Sequence, residues 1–256
     1  MQISFKETSI FYTAQGSGKP LVLLHGFLES SKIWEDFVPS LSKQRQVICI
    51  DLPGHGKSGC FNKVHSIEEM AYAVKAVLDC LNTKELTIAG HSMGGYVSLE
   101  FSKIFPTITR SLLLINSTPE ADSAEKAENR DRASRLVKRN KKAFIKMAIN
   151  SLLPPEHQVK FQDEIALLIQ EAEKMSSKGI IAALQGMKIR TDNTAWFSSF
   201  KGDKHMVSGK QDPILDFHHL KGLSKNCNSH FKSFSGGHLS YLENKEALQK
   251  YLHFIE

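Results

Sequence analysis

No stretch of this 256-residue chain approaches the ~20 consecutive apolar residues of a membrane-spanning helix, so no span is expected. The opening residues, Met1-Gln2-Ile3-Ser4-Phe5-Lys6, have no basic region followed by an apolar core, so no signal peptide is expected either. Cysteine is scarce. Cys49, Cys60, Cys80 and Cys227 include no Cys-x-x-Cys pair, which argues against a zinc or redox site. Cys49 lies in an apolar run and is expected in the core, and free thiols without a secretion signal favour a reducing, cytoplasmic setting. There is no internal repeat and no low-complexity segment. The net charge of +6 is modest, and 41% hydrophobic with 23% charged residues is ordinary for a globular protein. The length suits one large α/β domain or two small ones.

What is present is a series of short apolar runs separated by helical periodicity. Residues 2–15 alternate and read as an antiparallel hairpin. Continuous runs at 21–24, 47–50, 86–89 and 111–115 read as strands covered on both faces. Helices are expected at 33–43, with Trp34, Phe37, Val38 and Leu41 on its apolar face, and from the Ser66/Glu69 capping box to about Leu81. Strands resume at 205–209 and 229–234, with helices at 214–224 and from about Asn244. Between about Ser117 and Trp196 no apolar strand appears, and three helices are expected instead, at 120–150, 155–175 and 177–190. Strands alternating with helices imply a doubly wound, mostly parallel sheet, with active groups at the strands' C-terminal ends.

One of those ends carries the chemistry. The run Leu86–Ala89 leads into Gly90-His91-Ser92-Met93-Gly94-Gly95 and then into helical spacing at Val97, Phe101 and Ile104. Ser92 therefore sits on a sharp strand-to-helix turn, a nucleophile elbow. A serine hydroxyl needs a base held by a third group. Asp212 follows a later strand, and His238, after Gly236-Gly237, follows the last. We assign Ser92 as nucleophile, His238 as general base then acid, and Asp212 as the carboxylate fixing the imidazole. Asp203 precedes its strand and Asp216 lies within an expected helix, so both are weaker rivals. An oxyanion needs donors already in place. The N–H of Met93 at the helix start is one candidate, and the N–H of Phe27, in the loop His25-Gly26-Phe27, is the other. The His25 ring is expected to pin that loop and to border the substrate pocket.

Three other signals lead elsewhere. Gly54-His55-Gly56-Lys57-Ser58 resembles the end of a phosphate-binding loop, but position 51, where the first glycine belongs, is Asp51. His218-His219 has no accompanying ligand set, so no metal is expected. Residues 126–146 hold nine Lys or Arg and few carboxylates. That run reads as a solvated helix face, or as a basic rim for an anionic substrate or an acidic carrier protein. Nucleic acid is not expected, because no aromatics are interleaved for stacking.

His25-Gly26-Phe27, Asp51-Leu52-Pro53-Gly54-His55-Gly56-Lys57-Ser58, the elbow, Gly209-Lys210-Gln211-Asp212-Pro213 and Gly236-Gly237-His238 together resemble the α/β-hydrolase fold superfamily, in particular its serine esterase and lipase-like members. In related dehalogenases and epoxide hydrolases the elbow residue is aspartate, so Ser92 counts against both. The resemblance implies a core of residues 1–116 and 197–256 with a helical cap inserted at 117–196. Phe144, Met147, Leu152 and Trp196 are then candidates for the pocket lining. It implies hydrolysis of a small carboxylic ester or related acyl compound, with no cofactor. Relatives with similar motifs eliminate pyruvate in menaquinone biosynthesis or cleave carbon–carbon bonds, and others serve as small-ligand receptors.

Overall fold

The computed structural model describes residues 1–255. The alternating N-terminal residues form β1 (Gln2–Phe5) and β2 (Thr8–Gln15), paired antiparallel. The four apolar runs become β3 (Pro20–Leu24), β4 (Gln46–Ile50), β5 (Leu86–His91) and β6 (Thr109–Ile115), and the two later strands are β7 (Asp203–Gly209) and β8 (His230–Phe234). These pair in the order β1-β2-β4-β3-β5-β6-β7-β8, parallel throughout from β4 to β8. Leu21, Val22, Leu23 and Leu24 are all fully buried, as a strand with helices on both faces requires.

The helices of the first half are α1 (Val38–Leu41), α2 (Ile67–Cys80) and α3 (Met93–Ile104). The chain steps from β3 outward to β4, then returns past β3 to β5. With right-handed crossovers this reversal puts α1 on one face of the sheet and α2 with α3 on the other. The C-terminal helix, α11 (Lys245–Phe254), packs on α1, while α2 packs on α3. The crevice where winding reverses, between the C-terminal ends of β3 and β5, is where such sheets bind ligands.

Between β6 and β7 lie α4 (Ala124–Asn150), α5 (Pro155–Lys160), α6 (Gln162–Glu173), α7 (Ser177–Lys188) and α8 (Thr194–Ser199), with α4 packed on α6 and α7. We refer to this helical insertion, where a cap is expected, as the cap. The chain finishes with α9 (Phe217–Asn226), α10 (Ser240–Glu243) and α11 (Lys245–Phe254). Among the described residues no helix is long and apolar enough to cross a membrane.

Several helices differ from their expected spans for local reasons. The stretch 33–43 is not one helix but a 3-10 turn at Ser31–Trp34 followed by α1. Pro39 has no N–H to bond the carbonyl of residue 35, and its ring crowds that carbonyl. Trp34, Phe37 and Leu41 are nonetheless buried. The helix expected at 120–150 starts at Ala124, capped by Ser123, and breaks at Asn140 (φ −154°, ψ 85°), whose side chain accepts from the Ala143 N–H and re-starts it. The stretch 155–175 divides at Phe161 into α5 and α6. The helix expected from 214 begins at Phe217, because Asp216 caps it through the His219 N–H.

Candidate active site

Ser92 occupies the turn between β5 and α3 with φ 49° and ψ −114°, a conformation a non-glycine residue holds only when its surroundings impose it. Those surroundings are visible. A Cβ on Gly90 would lie 2.1 Å from the Gly94 carbonyl, and one on Gly94 would lie 2.6 Å from the His25 oxygen. Only glycine lets strand, elbow and helix approach this closely. The Ser92 N–H donates to Ile115 O (2.9 Å), and Ser117 Oγ donates to Ser92 O (2.8 Å), so β6 and its exit loop clamp the turn.

His238 Nε2 lies 3.0 Å from Ser92 Oγ, and His238 Nδ1 lies 2.8 Å from Asp212 Oδ2. With the carboxylate ionised, Nδ1 carries the proton and donates it there, leaving the Nε2 lone pair facing the hydroxyl. Asp212 also accepts from Asn116 Nδ2 (3.0 Å) and from the N–H groups of Ile214 (2.8 Å) and Leu215 (3.1 Å). Burial pushes its pKa up, but the adjacent His238 and these donors outweigh burial and hold it below the usual carboxylate range. Asp203 stands at the opposite, N-terminal end of β7, and Asp216 is occupied as a helix cap.

The His238 loop is held from two sides. Glu243 accepts from the N–H groups of Gly237 (2.8 Å) and Leu239 (3.0 Å), and the His238 N–H donates to Leu152 O of the cap (3.1 Å). Asn116 bridges Asp212 and Gly237 O (3.1 Å). Glu243 and Asn116 stand outside every motif of the sequence. An acid six residues after Gly237 and an asparagine ending β6 (with φ 45°) were the available signals.

Opposite lies the loop after β3. His25 is fully buried, donates from Nδ1 to Gly26 O (2.7 Å) and accepts the Leu52 N–H at Nε2 (2.9 Å). It pins the loop, but it does not border the substrate pocket as expected, because both nitrogens are spent inside the protein. The N–H groups of Phe27 and Met93 meet no acceptor among the described residues, and Met93 is the first residue of α3, where an N–H is left free.

Beneath this loop is a charged group that no sequence motif marks. Glu29, 5% exposed, accepts from the Gly26 N–H (2.6 Å), from His91 Nδ1 (2.9 Å) and from the Tyr241 hydroxyl (3.0 Å). The other nitrogen of His91, Nε2, lies 2.9 Å from His238 O. Both nitrogens of this ring face acceptors, which only an imidazolium satisfies. Burial pulls the His91 pKa down, but Glu29, the His238 carbonyl and Asp212 together outweigh it, and the net displacement is upward. For Glu29, burial acts upward, but His91, the Gly26 N–H and His25 together outweigh it and hold the carboxyl below its usual range.

Ser92 and His238 open into a cavity of about 430 Å³ between core and cap. Its walls include Phe27, Tyr96, Phe144, Leu152, Leu184 and Met187, with Met147 at the rim. Trp196, expected there, lies elsewhere. Its Nε1 donates to Ser102 Oγ (3.0 Å), which ties α8 to α3. Lys126, Asn129, Arg130 and Asp122 also line the cavity. A larger cavity, about 670 Å³ between α6 and residues 28–37, is lined by neither Ser92 nor His238. His219 meets Glu120 at 2.9 Å on the surface. Among the described residues no group of three or more His, Cys, Asp or Glu side chains could hold a metal ion.

A mostly parallel sheet, a serine on a strained elbow beside its switch point and a helical cap above define one class of protein. The chain belongs to the α/β hydrolase fold family, whose model matches residues 19–245. It is 26% identical over 212 residues (83% of this chain, 74% of the relative) to an (E)-2-((N-methylformamido)methylene)succinate hydrolase of Acinetobacter baylyi. A thermophilic esterase of Thermogutta terrifontis, solved with malate bound, superposes with a TM-score of 0.91 at 26% identity, covering 96% of this chain and 92% of that one. An enol-lactonase of Burkholderia xenovorans gives 0.91 at 17% identity, covering 99% and 98%, and at that identity shares the fold. Further curated relatives match over 100 to 105 residues, and there the chain spans 27–37% of their length.

Proposed function

We propose that this chain is a serine hydrolase that cleaves a small carboxylic ester or related acyl compound through an acyl-enzyme. The observation that carries the proposal is the His238 imidazole lying 3.0 Å from Ser92 Oγ and 2.8 Å from Asp212 Oδ2. Ser92 Oγ attacks the acyl carbon while His238 Nε2 takes the hydroxyl proton, and the N–H groups of Phe27 and Met93 stabilise the oxyanion. Collapse of the tetrahedral adduct breaks the bond to the alcohol oxygen, to which His238 returns the proton. Water then repeats the sequence on the acyl-enzyme, with His238 again as base, and releases the acid. Asp212, kept ionised, holds the imidazole in the tautomer this cycle needs. One relative is named an esterase and another a hydrolase of a succinate derivative, and both names support a hydrolytic reading.

A fluorophosphonate probe tests the nucleophile. It labels the native chain, and Ser92→Ala abolishes labelling without altering the thermal melt. A panel of nitrophenyl esters tests the reaction. Rapid turnover of short and medium acyl chains is expected, whereas labelling with very slow turnover of every ester would favour the lyase or receptor chemistry found elsewhere on this fold.

A further inference from the structure

Lys126, Asn129, Arg130 and Ala133 recur at helical spacing on α4 and face the cavity that holds Ser92. Other bases of the same run are engaged elsewhere. Arg132 pairs with Glu128, Lys142 with Glu173, and Lys141 donates to the carbonyls of Glu173 and Met175 at the end of α6. The basic run thus divides into a solvated or structural set and two cations turned toward the site.

Those two are incompletely matched. Asp122, its side chain 1% exposed, accepts from Arg130 Nε (3.1 Å) through Oδ2 and from Arg190 Nη1 (2.6 Å) through Oδ1. Arg190 also donates to Glu120 O (3.1 Å) and lies over the Tyr96 ring at 4.0 Å. One carboxylate therefore serves two guanidinium groups and leaves positive charge over. Among the described residues neither Nη of Arg130 nor Nζ of Lys126 has an acceptor. Asp122 fixes Arg130 by its Nε and leaves the terminal pair of N–H groups open. That edge matches a carboxylate bidentately. Phe27, Leu184 and Met187 share the cavity with both ends, so an apolar chain fits between the anion and the reacting carbonyl.

Resting on the hydrolase reading above, we infer that the substrate carries a carboxylate, held by Arg130 and Lys126 at the cap side of the cavity while its ester carbonyl meets Ser92. The fitting class is the monoester of a dicarboxylic acid. The test pairs charged and neutral 4-nitrophenyl esters of equal length: monoadipate against hexanoate, and monosuberate against octanoate. The native protein is expected to favour the charged member of at least one pair by about ten-fold or more in kcat/KM, mainly through KM. Arg130→Met and, separately, Lys126→Met shrink that ratio. Lys126 has no structural partner, so its variant keeps the test valid if loss of Arg130 disturbs Asp122. Equal or better use of the neutral ester in both pairs overturns the inference, as does an equal loss on both members in both variants. Ser92→Ala separates the two readings. Calorimetric binding of monomethyl adipate or monomethyl suberate to that variant supports the anion site even where no ester is hydrolysed. Binding of neither overturns it, whatever the hydrolase assay shows.

Discussion

Glu29 and His91 carry opposite charges in a place where neither would survive alone. The carboxylate is 5% exposed and the imidazole 1%. Between them they fix the Gly26 N–H of the loop after β3 and the carbonyl of His238. Removing one partner of such a buried pair strands the other, at a cost of about 3–5 kcal/mol. Glu29→Gln is therefore expected to lower urea stability by roughly that amount. In the surviving folded protein kcat should fall more than KM rises, because the loop and the base shift relative to Ser92. An unchanged melt with native turnover would remove the pair from this account. Asp212→Asn, which leaves the wrong donor facing Nδ1, is expected to reduce kcat by about 10⁴-fold, whereas Asp203→Asn should leave it untouched. Ser92, Asp212 and His238 were legible because a short motif surrounds each one. Glu29, His91, Asn116 and Glu243 were not. Their partners are side chains 62 to 212 positions away, a backbone carbonyl 121 positions away or loop amides, and no local pattern announces them.

Elements were legible where periodicity was long and hydrophobic, and less so where a side chain resets the backbone. The central strands β3 to β6 appeared as unbroken apolar runs. Asn140, Phe161 and Asp216 end or start helices inside stretches whose pattern is continuous. The short helix α8 went unread because six residues give too little periodicity. Docking of the cap on the core depends on contacts that propensity misjudges. Gly186 lies inside α7, where alanine is intrinsically better by about 1 kcal/mol. Yet a Cβ there would sit 1.7 Å from the His65 carbonyl oxygen, in a loop that also donates its N–H to Ala182 O (3.0 Å). Backbone against backbone cannot yield cheaply, so overpacking wins. Gly186→Ala is expected to destabilise by about 1–3 kcal/mol and to loosen the cap, seen as faster amide exchange in α7. Gly222, within α9, has nothing within 4 Å of its would-be Cβ. Gly222→Ala should instead stabilise by about 0.5–1 kcal/mol. If the two variants shift the melt in the same direction, the contact argument fails.

Taken across the whole molecule, the buried histidines set a pH window for stability. Burial pulls His55 down to about 3, and the neighbouring His25 adds to the effect. Burial likewise holds His65 and His205 at about 4. Each keeps a neutral ring in the fold, while in the unfolded chain it takes a proton near pH 6.5. Below that point the unfolded state binds more protons, so stability present above about 6.5 erodes as pH falls toward the folded values. For His55 alone this amounts to roughly 2 kcal/mol between pH 7 and pH 5. His91 acts in the opposite sense. Its folded pKa is raised, so its contribution is complete below about 6.5 and is lost as pH rises through the folded value. The two effects meet on the neutral to mildly alkaline side. Urea unfolding measured from pH 5 to pH 9 is expected to give a maximum above pH 6.5, a steep acid flank and a shallower alkaline one. In Glu29→Gln the alkaline flank should flatten, because His91 then loses the carboxylate that kept it charged. A native profile flat between pH 7 and pH 5 would mean that these rings take up protons without leaving their sites, and that the packing around Pro53, whose carbonyl both His55 and His65 contact at 3.1 Å, is looser than its geometry implies.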